Sequence, residues 1–351
     1  MNEPYRTRRP AELLSGTFFL DLGGDHRDTV LVAGSGRSGT TWLSTLINHD
    51  NEHRFIFEPF HPEKVAACEP FHRKQYLRPE DDRAIYLEAA EKILSGKLRS
   101  RWADRFNRKP VARRRLVKDI RTSLLLGWMR RHFSGMPIVF ILRHPCAVAD
   151  SRLRLGWRDS LEEVMSQKQL VEDHLAPFEA EILAAEDPFE RSVFLWCIEN
   201  YVPLRQPGAE KLHVVFYEHL VSDPEKELSP LLGLPEGKRP EGEEPNSAIP
   251  SRQTPPYKGR PPSHPLSEGA DPSPERIPPK GIPPKRLRGS EGARSPTEPD
   301  AARAFGWTER VGEGRRKRAA EITRLFGLDL IYGEGPMPRP EGISEFPGER
   351  G

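Results

Sequence analysis

Between Asp28 and Asn48 the chain reads DTVLVAGSGRSGTTWLSTLIN: a short apolar run, a turn with three glycines in six residues, then an amphipathic stretch. This succession constrains the fold more than any other feature of the sequence. Residues 30–33 are apolar without alternation, as a strand covered on both faces requires. Gly34, Gly36 and Gly39 let the backbone wrap closely and aim its N–H groups inward. A helix expected from about Thr40, with Trp42, Leu43, Leu46 and Ile47 as its apolar positions, brings unsatisfied amides and a positive dipole end to the same point. Thr40 and Thr41 add hydroxyls and Arg37 a full positive charge, so the turn is a cradle for phosphate or sulfate.

The rest of the chain repeats the alternation. Further buried strands are expected at 54–57, 116–117, 138–142 and 214–217, and helices at 81–94, 123–132, 147–155, 161–185 and 191–205. Strand–helix repetition of this kind predicts an α/β fold with a doubly wound, mainly parallel sheet, whose ligand lies beyond the carboxyl ends of the strands. The core is expected over 28–234, after an N-terminal extension at 1–27. Residues 235–300 hold seventeen of the 36 prolines, with few large apolar residues, and read as a disordered or loosely docked insertion. A helical segment of the core returns at 301–332, with Ala319, Ile322 and Phe326 on one face, and 333–351 reads as a flexible tail.

A net charge of +2 gives no reason to expect nucleic-acid binding, although arginines crowd locally at Arg113, Arg114 and Arg115. Those three read as a solvated basic face. Cys68, Cys146 and Cys197 are too few and too scattered for a disulfide framework. Without a signal peptide or an apolar run long enough to span a bilayer, a cytoplasmic protein is expected.

Two common templates fit the glycine turn incompletely. The GxxxxGK[ST] pattern has Thr40 where the phosphate-binding lysine belongs. The dinucleotide pattern GxGxxG matches, and Glu58 follows at the spacing of a ribose-binding acid, which keeps an NAD(P)-dependent oxidoreductase open. A second corner favours neither. In ILRHPCAVADSRLRL, Arg143 emerges from a strand, Pro145 opens a helix, and Ser151 lies two turns along it. A guanidinium and a hydroxyl converging above one helix face make a second phosphate site.

GSGRSGTTWL, together with an arginine followed eight residues later by a serine, resembles the sulfotransferase family that uses 3′-phosphoadenosine-5′-phosphosulfate (PAPS). The resemblance implies a P-loop-like three-layer fold. It implies that Gly36, Arg37, Ser38, Gly39, Thr40, Thr41 and Trp42 hold the 5′-phosphosulfate end of the donor, with Trp42 near the adenine. It assigns the 3′-phosphate to Arg143 and Ser151, the adenine also to Tyr217, and the transferring group to Lys118 in LVKDIR. No metal is required. The cytosolic branch has a catalytic histidine where this chain has Ile120, so Glu58 is the expected base, as in the carbohydrate branch, with His61 as an alternative. Trp196 and Asn200 fit a long structural helix, and Arg252 is a possible remnant of the family's donor-closing loop. A hydroxyl-bearing acceptor, a saccharide favoured, is the expected partner. A non-catalytic nucleotide-binding module is the other alternative.

Overall fold

Five parallel strands form one sheet: β1 (Thr29–Gly34), β2 (His53–Phe57), β3 (Arg114–Asp119), β4 (Ile138–Leu142) and β5 (His213–Phe216), in the order β2-β3-β1-β4-β5. The computed structural model describes residues 19–157, 160–206, 208–232 and 304–346. The proline-rich stretch 235–300, Arg252 and the end of the tail lie outside the described residues.

The unbroken apolar runs are explained by cover on both faces. Leu31, Ala33, Val117, Phe140 and Leu142 face one buried cluster, together with residues of helices α2 (Ala84–Leu94), α3 (Leu126–His132), α4 (Pro145–Arg154), α5 (Pro188–Arg205) and α6 (Glu313–Leu325). Val32, Leu116, Val139, Ile141 and Val215 face the other, with Leu43 and Ile47 of α1 (Thr40–Ile47). The result is the expected doubly wound, three-layer architecture with a strand–glycine loop–helix unit at its centre. The order also bears on the dinucleotide template. In that fold the strand carrying the ribose-binding acid adjoins the first strand; here β3 lies between β1 and β2. The chain reverses its direction of strand addition at β1, so the crevice opens where the glycine turn begins.

Three sequence expectations are corrected. Residues 161–185 are not one helix but short pieces, Leu161–Met165, Lys168–Leu170 and Glu179–Leu183, joined by a π turn (Val171–Leu175) and a 3-10 turn (Ala176–Phe178). Pro177 cannot donate to the helical ladder and breaks it there. Part of the expected N-terminal extension packs on the core: Leu20–Asp21 pairs with Val111–Ala112, and Asp21 binds the buried guanidiniums of Arg54 (3.0 Å) and Arg115 (2.6 Å). Buried arginines require such a partner, and Arg115 is therefore structural, not part of a solvated face. Residues 333–346 lie against the body, with Phe346 buried edge-on to Tyr201 at 5.8 Å, because burial of that ring outweighs the freedom of the chain around it. All three cysteines are buried and unpaired. Among the described residues no helix is long and apolar enough to cross a membrane.

A candidate active site at the strand tips

The glycine loop takes its shape from three close approaches. Gly39, at φ 96°, caps α1, where a side chain would overlap the ring of Tyr217. A Cβ on Gly36 would lie 2.6 Å from the ring of Trp157. Asn200, fully buried on α5, donates to the Ser35 hydroxyl at 3.1 Å and pins the loop from below. Arg37 adopts φ 79°, a left-handed conformation that costs a residue with a side chain about 1 kcal/mol or more. The Ser38 hydroxyl is buried with no hydrogen-bond partner among the described residues. Thr40 is buried and Thr41 exposed. An orphaned buried hydroxyl beside the free amides of a helix start fits an anionic ligand.

Arg37 also joins this loop to the second corner. Its main-chain carbonyl accepts from Arg143 Nη1 at 2.9 Å, and its Nε donates to Ser151 Oγ at 3.1 Å. The structure thus brings Arg143, Ser151 and the glycine loop together, although Arg143 and Ser151 meet through Arg37, not each other. The Arg143 guanidinium lies 4.2 Å from the ring centre of Tyr217, which in turn packs edge-on to Trp42 at 5.7 Å. Neighbouring elements hold the corner. Trp196 donates to the Arg143 carbonyl (3.0 Å), and the His144 amide donates to the buried Glu218 carboxyl (2.9 Å), which also accepts from Tyr332 Oη (2.8 Å). His144 stacks on Trp307 at 4.1 Å, tying residues 304–346 to the tip of β4.

At the other side of the loop, Glu58 leaves β2 at φ 43° and is almost wholly buried. Lys118 Nζ and Arg121 Nη1 each donate to its carboxylate at 2.6 Å. Burial alone would raise its pKa, but the charges of Lys118 and Arg121 outweigh this and hold it at about 2. Asp119, fully buried, accepts from the amides of Phe60 and Arg121, both at 2.8 Å, and so fixes the turn carrying Glu58. Burial pushes Asp119 up to about 6, with Glu58 adding to the rise and Arg121 opposing it. His61 is buried against Trp102; burial and Arg121 bring its pKa down to about 3, so the imidazole is neutral. Ile120 fills the place beside Gly36, its side chain 3.3 Å from where a Cβ there would sit.

Arg121, Asp119 and Trp157 are site residues that sequence reasoning missed. Asp119 and Arg121 flank the strand tip in the KDIR motif, and their charge within a buried strand end was the available signal. Nothing in the local sequence marks Trp157. Arg113 and Arg114 are exposed and stand at the amino end of β3, the edge opposite the site. Among the described residues no group of three or more His, Cys, Asp or Glu is arranged to hold a metal ion.

No curated protein matches the chain. Among solved structures it is similar to the sulfotransferase domain from the curacin biosynthetic pathway, at 20% identity over 62% of this chain and 76% of that one, with TM-score 0.35. It is also similar to the sulfotransferase domain of the olefin synthase from Synechococcus PCC 7002 (16%, 62% and 74%, TM-score 0.31). A third is a sulfotransferase from Alicyclobacillus acidocaldarius (19%, 59% and 81%, TM-score 0.32). The model of the sulfotransferase family matches residues 29–234, more than half of the 351 and the stretch that contains the glycine loop, the Arg143–Ser151 corner and Glu58; the chain belongs to the sulfotransferase family.

Proposed function

We propose that the chain transfers the sulfuryl group of PAPS to a hydroxyl-bearing acceptor and releases 3′-phosphoadenosine 5′-phosphate (PAP). One observation carries this reading: the glycine loop and the Arg143–Ser151 corner, each able to offer donors to an anion, lie side by side and are linked by Arg37. Two such sites suit a ligand with a phosphate group near each end of an adenosine. The 5′-phosphosulfate then lies on Gly36–Thr41 and the 3′-phosphate at Arg143 and Ser151, with the adenine against Trp42 and Tyr217.

In the transfer, the acceptor oxygen forms a bond to sulfur in line with the breaking S–O bond. The electron pair of that bond stays on the 5′-phosphate, and the hydroxyl proton passes to Glu58. A carboxylate held at about 2 is a weak base. Lys118, which holds it there, is also the cation for the departing phosphate. As Lys118 turns its ammonium toward that developing charge, Glu58 loses one of two partners and gains basicity when the proton must move. Arg37 supplies the second cation. A saccharide hydroxyl is the acceptor favoured by the carbohydrate-branch resemblance; a cytoplasmic location is the separate expectation from the sequence.

Calorimetric titration of the full chain with PAP in EDTA tests the donor. Saturable binding, with none for NADPH or Mg-ATP under matched conditions, is the expected result. Absence of PAP binding would overturn the assignment.

A further inference from the structure

Beside the glycine loop, on the side of α5, lies a cavity of about 70 Å³ lined by Lys74, Arg152, Trp157 and Ser192 among others. It has room for a few waters or one small oxyanion. Its walls carry hydrogen-bond donors that no described residue accepts from. Arg152 Nη1, Trp157 Nε1 and Ser192 Oγ are each buried without a partner among the described residues. Arg152 and Ser192 are 5% and 4% exposed, so bulk water does not satisfy them. The indole and guanidinium groups donate only.

The basic groups also outnumber the acidic one. Glu199 takes Arg152 Nη2 at 2.7 Å and Lys74 Nζ on its other oxygen. Burial would raise this carboxyl, but Arg152 and Lys74 outweigh it and hold Glu199 ionised, at about 2. Two basic groups thus face one carboxylate, in a buried place where unpaired donors are costly; burial lowers the Lys74 pKa, Glu199 opposes this, and an added anion would oppose it further. An oxyanion answers both deficits. The cavity shares a wall with the donor cradle: Arg152 Nε donates to the Gly36 carbonyl at 3.3 Å, and the Trp157 ring covers Gly36 with Arg37 Cζ at 5.7 Å.

We propose that this cavity is a subsite for a carboxylate, sulfate or phosphate group carried by the acceptor, so that the acceptor is an anionic hydroxyl compound. The proposal rests on the sulfuryl-transfer reading above. It adds Lys74, Arg152, Trp157 and Ser192 as specificity-determining residues.

The test uses the full chain saturated with PAP, which occupies the donor loop. Sodium acetate, sulfate and methyl phosphate are titrated separately, with tryptophan fluorescence as readout and sodium chloride of equal ionic strength as control. At least one of the three should give a saturable change that chloride does not, and the tightest identifies the group. Trp157→Phe should abolish the optical change. Ser192→Ala, which keeps every charge, should weaken binding several-fold, and Lys74→Met by about tenfold or more. Equal titrations of wild type and both variants, or reproduction of the signal by chloride, would overturn the subsite. Failure of the wild-type chain to bind PAP would instead sink the donor reading. PAP binding without any Lys74-dependent anion signal would sink the subsite alone.

Discussion

Glu58→Gln probes the centre of the candidate site, because one carboxylate is the proposed base and also pairs with buried Lys118 and part-buried Arg121. Its pKa is lowered from 4.5 to about 2, even though burial works in the opposite direction. A carboxylate depressed in the folded state contributes stability that is complete above its unfolded pKa and lost as pH falls through the folded value. At about 1.4 kcal/mol per unit, this depression corresponds to about 3 kcal/mol at pH 7. Glutamine keeps the shape and one acceptor oxygen but not the charge, so the variant should lose roughly that amount. Urea denaturation from pH 7 downward checks the size and the sign, with a constant m-value confirming that only stability has changed. The gap between wild type and variant should narrow below about pH 4.5 and close near pH 2; Glu199 titrates alike in both proteins and cancels, whereas Asp119 loses the part of its rise that Glu58 causes and adds a smaller difference around pH 6. Turnover of PAPS at pH 7 should fall by about 10²–10⁴-fold with PAP affinity retained. A gap that is small at pH 7 or independent of pH would refute the pairing, and near-normal turnover would move the base to another residue.

Arg143→Ala should weaken PAP binding by about 1.5–3 kcal/mol, roughly ten- to a hundredfold, in calorimetry; an unchanged isotherm would remove the guanidinium from the donor site. Gly39→Ala meets both a left-handed backbone and the Tyr217 ring, so it should cost more than about 1 kcal/mol in thermal denaturation and abolish PAP binding; a neutral substitution would contradict the loop geometry. His61→Asn should leave the pH–rate profile between pH 5 and 8 unaltered and turnover within about threefold, since an imidazole with a pKa of about 3 changes charge outside that window. A loss as large as that of Glu58→Gln would make His61 the base.

What could be read from the sequence follows how local each feature is. The strand, glycine turn and helix around Arg37 are contiguous, and their chemistry is written in adjacent residues. Arg143 and Ser151 share one strand–helix corner, so helical spacing suffices to bring them to one place. The Glu58–Lys118 ion pair is different. It depends on β2 and β3 being neighbours, with Phe57 in register with Lys118, and no periodicity specifies strand order. Each residue was therefore visible as a candidate, but their mutual neutralisation was not. Asp21, ninety-four residues from its partner Arg115, was missed for the same reason. Residues 161–185 failed otherwise: their apolar spacing runs through Pro177, and pattern alone smooths over a break that one missing N–H enforces.

Arg37 joins the two proposed anion sites into one structural unit. Among the described residues only Arg37, Asn51 and Glu58 have a non-glycine backbone in the left-handed region, and two of these three are in the candidate site. Such a conformation persists only where its surroundings over-determine it. For Arg37 they do so from both ends: Arg143 grips the main chain and Ser151 the side chain. The two grips come from residues that bracket most of α4, a helix held against α5 by the Arg152–Glu199 ion pair. In the proposed donor site, the shape of the turn that takes one end of the ligand is thereby set by the groups that take the other. The distance between the two proposed pockets is then a property of rigid elements, and in that reading selection by length accompanies selection by charge. A ligand with a single phosphate would engage only one pocket and forgo the contacts of the second.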